Sequence, residues 1–443
     1  MNIILLSGGS GKRLWPLSND IRSKQFIKIF RSTEEDGGYE SMLQRMYRGI
    51  RRVDSGAKLT IATSGSQVST IHNQIGEDVN ISVEPCRRDT FPAIALASVY
   101  LNEVCGVGLD EPVVVCPVDP YVDDEYFKAL SELSDLTAKG DANLTLMGIE
   151  PTYPSAKYGY IIPASPASKD KISAVTEFKE KPDEKTAASY IEKGALWNGG
   201  VFAYKLGYVI AKAHELIDFN DYKDFFEKYD KATKISFDIA VVEKEKSINV
   251  MRFSGTWKDL GTWNTLAEAM EEKIIGEGVL GGGCENVHII NELDMPVLVM
   301  GLKDAVVSAS PEGILVSDKH KSSYIKPYVD EFTQPVMFAE KSWGSYRVID
   351  VESDSMTLKV TLNPGHRMNY HSHLRRRESW NIIEGSGRVI VDGATKNVGP
   401  GVSLELNIGQ KHTIIADTRI KLIEVQYGRD IDVKDKIKYD FPE

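Results

Sequence analysis

Short runs of β-branched and other apolar residues alternate with longer amphipathic stretches over the first 265 residues. The runs have strand length and predict buried strands at Ile3–Leu6, Leu59–Thr63, Val113–Val118, Leu144–Ile149 and Val201–Tyr204. The stretches have helical length and spacing and predict helices over Tyr39–Ile50, Pro92–Cys105, Glu125–Ala138 and Glu184–Lys193. This alternation is typical of an α/β domain in which helices cover a mostly parallel sheet.

The pattern changes twice further along the chain. Gly276–Gly283 is rich in glycine and interrupts the alternation, and strand-like pieces follow at Pro296–Gly301, Ala305–Ser308 and Ile314–Ser317. From about residue 335 the helix signals nearly vanish, and strand–turn–strand patterns indicate an antiparallel β domain. We therefore predict an α/β domain over residues 1–270, a β-rich connector over 271–334 and an all-β domain over 335–443.

Composition restricts the class of protein. The 443 residues are 42% hydrophobic and 26% charged, as in a globular protein. There is no apolar stretch near 18 residues and no recognisable signal peptide, so we expect neither a membrane segment nor export. Four scattered cysteines favour free thiols in the cytoplasm. A net charge of −11 argues against a nucleic-acid surface, and a nucleotide site would need a local group of cations and a metal ion.

The first predicted strand ends in a glycine-rich turn that two cations follow. The segment reads Ser7-Gly8-Gly9-Ser10-Gly11-Lys12-Arg13, and Lys24 lies shortly beyond it. Glycines let backbone N–H groups approach an anion closely, while arginine and lysine neutralise phosphate charge. The spacing fits neither a P-loop nor a dinucleotide-binding fingerprint. The segment therefore predicts a different kind of triphosphate site.

Two acids complete the pattern. Asp119 directly follows a buried strand, where it can reach a bound phosphate, and Asp259 lies in the segment Gly255–Trp263. Carboxylate oxygens suit hard divalent cations that bridge phosphates. Each acid is therefore a candidate ligand for such a cation, although an aspartate after a strand is often only a turn residue.

The glycine-rich amino-terminal segment resembles the signature of the sugar-nucleotide pyrophosphorylases. Within that group, Trp15 and Lys24-Gln25-Phe26 resemble the mannose-1-phosphate guanylyltransferases. Further matching motifs occur in family order at Glu84–Ile94, Pro151–Pro154, Tyr158–Ile161, Glu180–Pro182, Trp197–Gly200, Ser236–Lys244 and Trp257–Trp263. The resemblance implies a Rossmann-like mixed-sheet nucleotidyltransferase domain. It also implies that the enzyme makes GDP-mannose and pyrophosphate from GTP and mannose 1-phosphate.

The resemblance assigns roles to individual residues. On the nucleotide side, Arg13 binds the β- and γ-phosphates and Lys24 the α-phosphate. The other nucleotide-binding residues are Ser7, Gly8, Gly9, Gly11, Lys12, Arg88, Asp89 and Thr90, with base selection at Ser7-Gly8 and Arg88–Thr90. On the sugar side, Lys181 binds the phosphate, while Glu180, Asn198 and the backbone of Gly159 bind hydroxyls. Asp119 and Asp259 hold Mg²⁺.

Three motifs depart from the family pattern: among the changes, Ser23 replaces a proline, Asp89 an asparagine and Pro120 a histidine. The last two flank the presumed base and metal sites. They leave open a transferase for another base or sugar, such as CTP with a heptose or glucose phosphate. A non-catalytic regulator that only binds a sugar nucleotide is a further alternative, although such a module has no need for both acids.

The all-β part contains a metal-binding pattern. The spacing Gly365-x5-His371-x-His373-x4-Glu378-x6-Gly385 precedes Gly401-x5-Asn407-x-Gly409-x2-His412. Three imidazoles and a carboxylate suit a divalent transition metal such as Zn²⁺, Fe²⁺ or Mn²⁺.

The two blocks resemble the paired motifs of the cupin jelly rolls, with Asn407 in place of a proline. The surrounding sequence resembles the carboxy-terminal half of bifunctional mannose-6-phosphate isomerase/guanylyltransferases. Lys438 stands in place of an arginine of that family's tail, so isomerase activity is an open expectation. The connector offers a surface on which two copies could form a homodimer.

Overall fold

The computed structural model describes residues 1–9, 11–32, 37–165, 171–429, 431 and 435–442. The chain folds into two compact units. The first comprises Met1–Gly9, Phe30–Val68 and Glu77–Leu260, and the second comprises Ser10–Ile29, Ser69–Gly76 and Gly261–Glu443. The glycine-rich segment is therefore divided between the units. Ser7 to Gly9 belong to the first, whereas Gly11 to Lys24 belong to the second.

The strands up to Leu260 are β1 (Asn2–Leu6), β2 (Phe30–Arg31), β3 (Tyr39–Glu40), β4 (Lys58–Ser64), β5 (Asn80–Glu84), β6 (Pro112–Pro117), β7 (Pro120–Val122), β8 (Leu144–Ile149), β9 (Tyr160–Pro163), β10 (Ile172–Lys179), β11 (Leu196–Lys205), β12 (Ile248–Phe253) and β13 (Trp257–Asp259). The α-helices are α1 (Met42–Val53), α2 (Val68–Ile75), α3 (Thr90–Glu103), α4 (Asp124–Lys139), α5 (Glu184–Glu192), α6 (Leu206–Leu216) and α7 (Tyr222–Lys228).

The main sheet of the first unit has the order β5-β4-β1-β6-β11-β8-β12-β10-β9. The first four strands are parallel, as are β8 and β12, which confirms a mixed α/β sheet. The expectation of a mostly parallel sheet is wrong for its second half, because β9, β10 and β11 pair antiparallel. Since β11 runs against β6, its amino end lies beside the carboxyl end of β6.

Helix α1 shows how local chemistry sets an element boundary. The prediction begins it at Tyr39, but Tyr39–Glu40 pair with Phe30–Arg31 as a short antiparallel ladder. The helix begins at Met42 because Ser41 forms a capping box with Gln44, which satisfies two otherwise unpaired backbone N–H groups. The other three predicted helices agree with the structure to within two residues.

The second unit is rich in strands. It includes α2 from Ser69 onward, together with α8 (Trp263–Ala269) and α9 (Lys326–Val329). Its strands are β14 (Ile274–Ile275), β15 (Gly278–Leu280), β16 (His288–Asn291), β17 (Val297–Val299), β18 (Ala305–Ser310), β19 (Gly313–Asp318), β20 (Phe338–Lys341), β21 (Gly344–Val351), β22 (Ser355–Leu362), β23 (His371–His373), β24 (Arg376–Glu384), β25 (Gly387–Val391), β26 (Ala394–Val398), β27 (Ser403–Leu406), β28 (His412–Ala416), β29 (Ile420–Gly428) and β30 (Lys436–Lys438).

Strands β14 to β19 form a four-stranded sheet, β14-β16-β18-β19, and a parallel pair, β15-β17. Strands β20 to β30 form two sheets with the orders β20-β21-β22-β29-β24-β27 and β26-β25-β28-β23-β30. Side chains from both of these sheets, among them Leu358, Trp380, Val389 and Ile414, share one hydrophobic core. The all-β carboxy-terminal domain is confirmed. Among the described residues, every helix is too short or too polar to cross a membrane.

Candidate functional site

A cavity of about 280 Å³ opens in the first unit near the carboxyl end of β6. Its lining consists of Pro117, Asp119, Pro120, Lys157, Tyr158, Gly159, Glu180, Lys181, Asn198, Gly199, Gly200, Asp238, Trp257 and Asp259. All six residues that the sequence assigns to Mg²⁺ or to the sugar phosphate lie in this lining. The cavity therefore places possible metal ligands and possible sugar ligands in one volume.

Asp119 and Asp259 meet through a two-stranded ribbon. Strand β7 pairs antiparallel with β13, and Asp259 lies opposite Pro120, the residue that follows Asp119. Both carboxylates are half-buried and line the same cavity. Two such oxygen donors suit a hard divalent cation, which would neutralise phosphate charge at this point.

A cation and an acid lie side by side after β10. The Lys181 ammonium donates a hydrogen bond to Glu180, and this contact raises the pKa of Lys181. The Lys181 side chain is 61% exposed, whereas that of Glu180 is 16% exposed. Lys181 is thus charged and accessible to an anion, and Glu180 offers acceptors for hydroxyl groups.

Gly159 allows Glu180 to occupy this position. A Cβ atom at Gly159 would lie 2.6 Å from Glu180 Oε2 and 3.3 Å from Asn198 Cβ. The Gly159 carbonyl accepts a hydrogen bond from the Asn198 N–H at 2.8 Å. Backbone and side chains at Gly159, Glu180 and Asn198 therefore form one interlocked wall of the cavity.

We expect Gly159→Ala to leave the fold intact and to raise the KM for the sugar phosphate about tenfold, because the new methyl group displaces the Glu180 carboxylate from its contacts. Steady-state kinetics with each substrate varied in turn measure this effect. Gly282→Ala, at an open position outside the cavity, is the control, because Gly282, like Gly159, lies outside the left-handed region of φ. An equal rise in the KM for the nucleotide would contradict the assignment of this wall to the sugar.

Asp238 is a cavity residue that the sequence analysis did not single out. Asn198 Nδ2 donates to Asp238 Oδ1 at 2.6 Å, and Asn198 Oδ1 accepts from the Gly200 N–H at 3.0 Å. Burial raises the pKa of Asp238 to about 6, and the charge of Glu180 adds to the shift while Lys181 opposes it. The available signal was the motif Ser236–Lys244, in which Asp238 begins a π-helical turn, a feature frequent at functional sites.

The raised pKa of Asp238 predicts a pH-dependent stability difference. Since the folded state holds an extra proton between pH 3.8 and about 6, this contribution to stability is present at low pH and is lost as the pH rises through that window. Asp238→Asn removes the titration, so the Tm of the variant relative to the wild type should rise from pH 4 to pH 7 by roughly 2 to 4 °C. Calorimetric scans at both pH values, with the exposed Asp141→Asn as control, measure it. A difference that does not change with pH would contradict the prediction.

The remaining residues assigned to the nucleotide in the first unit lie outside this cavity lining. Ser7 to Gly9 follow β1, and the Ser7 N–H donates to the Ala62 carbonyl at 3.0 Å. At the start of α3, Arg88 donates to the Asp230 carbonyl, Asp89 caps the helix and Thr90 Oγ1 accepts from the Phe237 N–H. These contacts stabilise the local structure, and the assignment of the region to base selection stays a prediction.

In the second unit, Arg13 and Lys24 lie on two short 3₁₀ turns, Lys12–Leu14 and Lys24–Phe26. Gly11 has φ +62°, and a Cβ atom there would lie 2.7 Å from the Lys24 backbone nitrogen. The Ser18 hydroxyl donates to the Gly11 carbonyl at 2.7 Å. Arg13 is exposed, Lys12 forms an ion pair with Asp330 at 2.8 Å, and Ser10 lies outside the described residues.

The carboxy-terminal domain contains a buried group of possible metal ligands. One ligand atom each from His371, His373, Glu378 and His412 lies within 4.8 Å of the others. His371 and His373 are two residues apart on β23, His412 lies opposite His371 on β28, and Glu378 projects from β24. The structure thus brings together all four residues that the sequence assigns to the cupin ion.

The tautomers of the three histidines follow from their partners. Each Nδ1 donates to a backbone carbonyl: His371 to Asn369 at 2.7 Å, His373 to Asp435 at 2.9 Å and His412 to Gln410 at 2.9 Å. Each Nε2 therefore carries the lone pair of its ring and is the atom that can bind a metal ion, although Arg376 also approaches that of His373. Burial lowers the pKa of His371 to about 2, which keeps its imidazole neutral.

Arg376 and the last strand border this group. Arg376 Nη2 lies 3.2 Å from His373 Nε2, and its Nε donates to Glu378 Oε1 at 3.0 Å. Strand β30 places Lys436 opposite His373 and Lys438 opposite His371. Val433 and Lys434 of the family-like tail lie outside the described residues.

Comparisons with known proteins find matches for both the amino-terminal and the carboxy-terminal part of the chain. Residues 2–274 match the nucleotidyl transferase family, and residues 331–440 match the carboxy-terminal family of mannose-6-phosphate isomerase. Mannose-1-phosphate guanylyltransferase RfbM from Salmonella typhimurium is 28% identical, with 96% of this chain and 94% of that protein covered. Alginate biosynthesis protein AlgA from Pseudomonas putida is 29% identical, with 96% and 92% covered.

A solved structure shows the same fold. The crystal structure described as mannose-1-phosphate geranyltransferase from Thermus thermophilus is 26% identical with a TM-score of 0.60, and the match covers 74% of this chain and 98% of that one. The nucleotidyl transferase match spans more than half of the residues. The chain therefore belongs to the nucleotidyl transferase family and carries a cupin-like domain of the mannose-6-phosphate isomerase type.

Proposed function

We propose that this chain is a cytoplasmic enzyme that converts GTP and mannose 1-phosphate into GDP-mannose and pyrophosphate. The observation that carries the proposal is the cavity in which Asp119 and Asp259 lie together with Glu180, Lys181 and Asn198. Paired carboxylates suit a metal-bound phosphate, and the acid, lysine and amide suit a sugar phosphate. The names of the relatives supply the choice of guanine and mannose.

The reaction is an in-line displacement. A phosphate oxygen of mannose 1-phosphate forms a bond to the α-phosphorus of GTP, and the bond to the bridging oxygen breaks as pyrophosphate leaves. Asp119 and Asp259 would hold Mg²⁺, which would neutralise charge at the phosphates. Lys181 binds the sugar phosphate, while Glu180, Asn198 and the Gly159 backbone orient the ring. Positioning and electrostatic stabilisation carry the rate.

On the nucleotide side, we assign the β- and γ-phosphates to Arg13 and the α-phosphate to Lys24. Charge on the α-phosphoryl oxygens grows in the transition state, so the lysine accelerates the step rather than only binding substrate. Gly9, Gly11 and Lys12 belong to the same phosphate-binding segment. Base selection falls to Ser7-Gly8 and Arg88–Thr90.

A pyrophosphate-release screen tests this function. Purified chain with Mg²⁺, each of the four nucleoside triphosphates and mannose, glucose and heptose 1-phosphates should release pyrophosphate fastest with GTP and mannose 1-phosphate. Preference for CTP or another sugar would replace the proposed substrates but keep the reaction class. If no combination released pyrophosphate, a non-catalytic regulator that binds a sugar nucleotide would be the better account.

We propose a second activity for the cupin-like domain, because it contains a buried His₃Glu group and matches an isomerase family. The domain binds a divalent transition metal such as Zn²⁺, Fe²⁺ or Mn²⁺ and interconverts mannose 6-phosphate and fructose 6-phosphate. A coupled assay on protein loaded with each ion should detect fructose 6-phosphate. No product with any of the three ions would reject the isomerase while leaving the metal site intact.

A further inference from the structure

The segment over residues 13–28, which carries Arg13 and Lys24, is held by three glutamates that lie far from it in sequence. They are Glu292 after β16, Glu312 in the turn between β18 and β19, and Glu340 on β20, and we call them the anchoring glutamates. Their side-chain partners described below lie 266 to 312 residues away in sequence. All of these residues belong to the second unit.

Asn19 is the central contact of the segment. Its Nδ2 donates to Glu312 Oε1 at 2.7 Å and to the Phe338 carbonyl at 2.8 Å. Its Oδ1 accepts from the backbone N–H groups of Ile21 at 2.9 Å and Arg22 at 2.6 Å. The amide thus uses its full capacity of two donors and two acceptor sites, so another side chain cannot reproduce the arrangement.

The other two glutamates fix the chain beyond Asn19. Arg22 forms a bidentate pair with Glu292, with both N–O distances 2.8 Å, and the Arg22 side chain is only 8% exposed. Glu340 accepts from Lys28 Nζ at 2.8 Å and from Gln74 Nε2 at 2.6 Å. Gln74 also donates at 2.9 Å to the carbonyl of Phe26, the last residue of the turn that carries Lys24.

These contacts reach the two phosphate-binding candidates through short covalent paths. Arg13 is six residues before Asn19, and Lys24 is two residues after Arg22. The Ser18 hydroxyl ties the segment back to the Gly11 carbonyl, while the Ser310 hydroxyl donates to the Pro16 carbonyl at 2.6 Å. A rigid segment lowers the entropy lost when its cations bind a flexible triphosphate.

We propose that the anchoring glutamates position Arg13 and Lys24 for the nucleotide, so that nucleotide affinity depends on residues 292–340 although these residues need not touch the ligand. This inference rests on the proposed function. Asn19, Arg22 and the three glutamates are positioning residues. If these residues served only the stability of the protein, their loss would weaken the binding of GTP and of mannose 1-phosphate to a similar extent.

The test uses the full chain and a charge change at Asn19. Asn19→Asp places a carboxylate beside Glu312 and removes both donors, so we expect the Kd for Mg²⁺·GTP to rise tenfold or more. The Kd for mannose 1-phosphate should stay within twofold of the wild type. Adding Glu312→Gln removes the repulsion and supplies a donor, so the double variant should recover most of the lost affinity. Calorimetric titration of each protein with both ligands measures these values.

Asn143→Asp is the matched control. Asn143 is exposed, lies in the first unit outside the cavity and has its Nδ2 3.3 Å from a glutamate oxygen, that of Glu245. It therefore receives the same chemical change beside an acid without any link to the segment. Its affinity for Mg²⁺·GTP should equal that of the wild type.

Amide hydrogen exchange gives a readout that does not require binding. Exchange over residues 11–28 should accelerate in Asn19→Asp and return towards the wild-type rate in the double variant. Three results would each overturn the proposal. They are an unchanged affinity for GTP in Asn19→Asp, an equal loss of affinity for both substrates in that variant, and no recovery of GTP affinity in the double variant. If the wild type itself binds no nucleotide, the proposed function fails first, and this inference fails with it.

Discussion

Replacing Asp119 by asparagine should lower the rate of pyrophosphate release on the order of 10²-fold or more, and Asp259→Asn should do the same. Both carboxylates line one cavity because the β7–β13 ribbon brings them to the same place from positions far apart in sequence. Each substitution keeps the shape of the side chain and removes a negative ligand. The loss should therefore appear in kcat together with a higher Mg²⁺ requirement, measured by titrating the ion at saturating substrates.

The exposed residue Asp141, which lies between α4 and β8, provides the control for this experiment. Asp141→Asn removes one negative charge from the same unit and should retain wild-type turnover and Mg²⁺ dependence. Near-normal rates in both cavity variants would show that the metal ion is held elsewhere. Arg13→Ala should lower the rate of pyrophosphate release as much as the two cavity variants do, but it should leave the Mg²⁺ requirement unchanged.

His412→Ala should abolish metal binding by the cupin-like domain. The buried Nε2 atom of His412 lies 3.4 Å from Glu378 Oε2, and its Nδ1 is fixed by the Gln410 carbonyl. Loss of one of four ligands from a closed site typically removes most of the affinity for a transition metal. Elemental analysis should find about one ion per wild-type chain after incubation with Zn²⁺, Fe²⁺ or Mn²⁺, and close to none in the variant.

Thermal stability gives a second comparison of the wild type with His412→Ala, because an ion that binds only the folded state raises the melting temperature. Wild-type protein should melt at a higher temperature with metal than with chelator, and His412→Ala should show no difference. His320→Ala, at an exposed histidine outside the group, should behave as the wild type. Full metal content in His412→Ala would contradict the assignment of the four ligands.

The local sequence pattern was sufficient to predict most helices and strands of the first unit. It was also sufficient to predict an α/β part followed by an all-β part. Strand β11 shows where it fails. The prediction starts this strand at Val201, yet the strand begins at Leu196 and continues through a register shift against β8. Gly200, with φ +71°, supports this irregularity. The direction of the strand depends on its partners and has no local signal.

The residues that we propose for the sugar could be singled out from the sequence because ordered motifs carry them, and they line one cavity. Asp238 was missed because its raised pKa comes from burial and from Glu180, which is distant in sequence. The membership of residues 10–29 in the second unit was missed for the same reason. It depends on partners such as Glu312 and Glu292, and a single asparagine or arginine in a loop does not indicate them.

A crystal structure with Mg²⁺ and GDP-mannose tests the central claim most directly. We expect an ion about 2.1 Å from oxygen atoms of both Asp119 and Asp259, with the mannose ring against Glu180 and Asn198. An ion that contacts neither aspartate, or a sugar bound outside the lining of this cavity, would contradict the account.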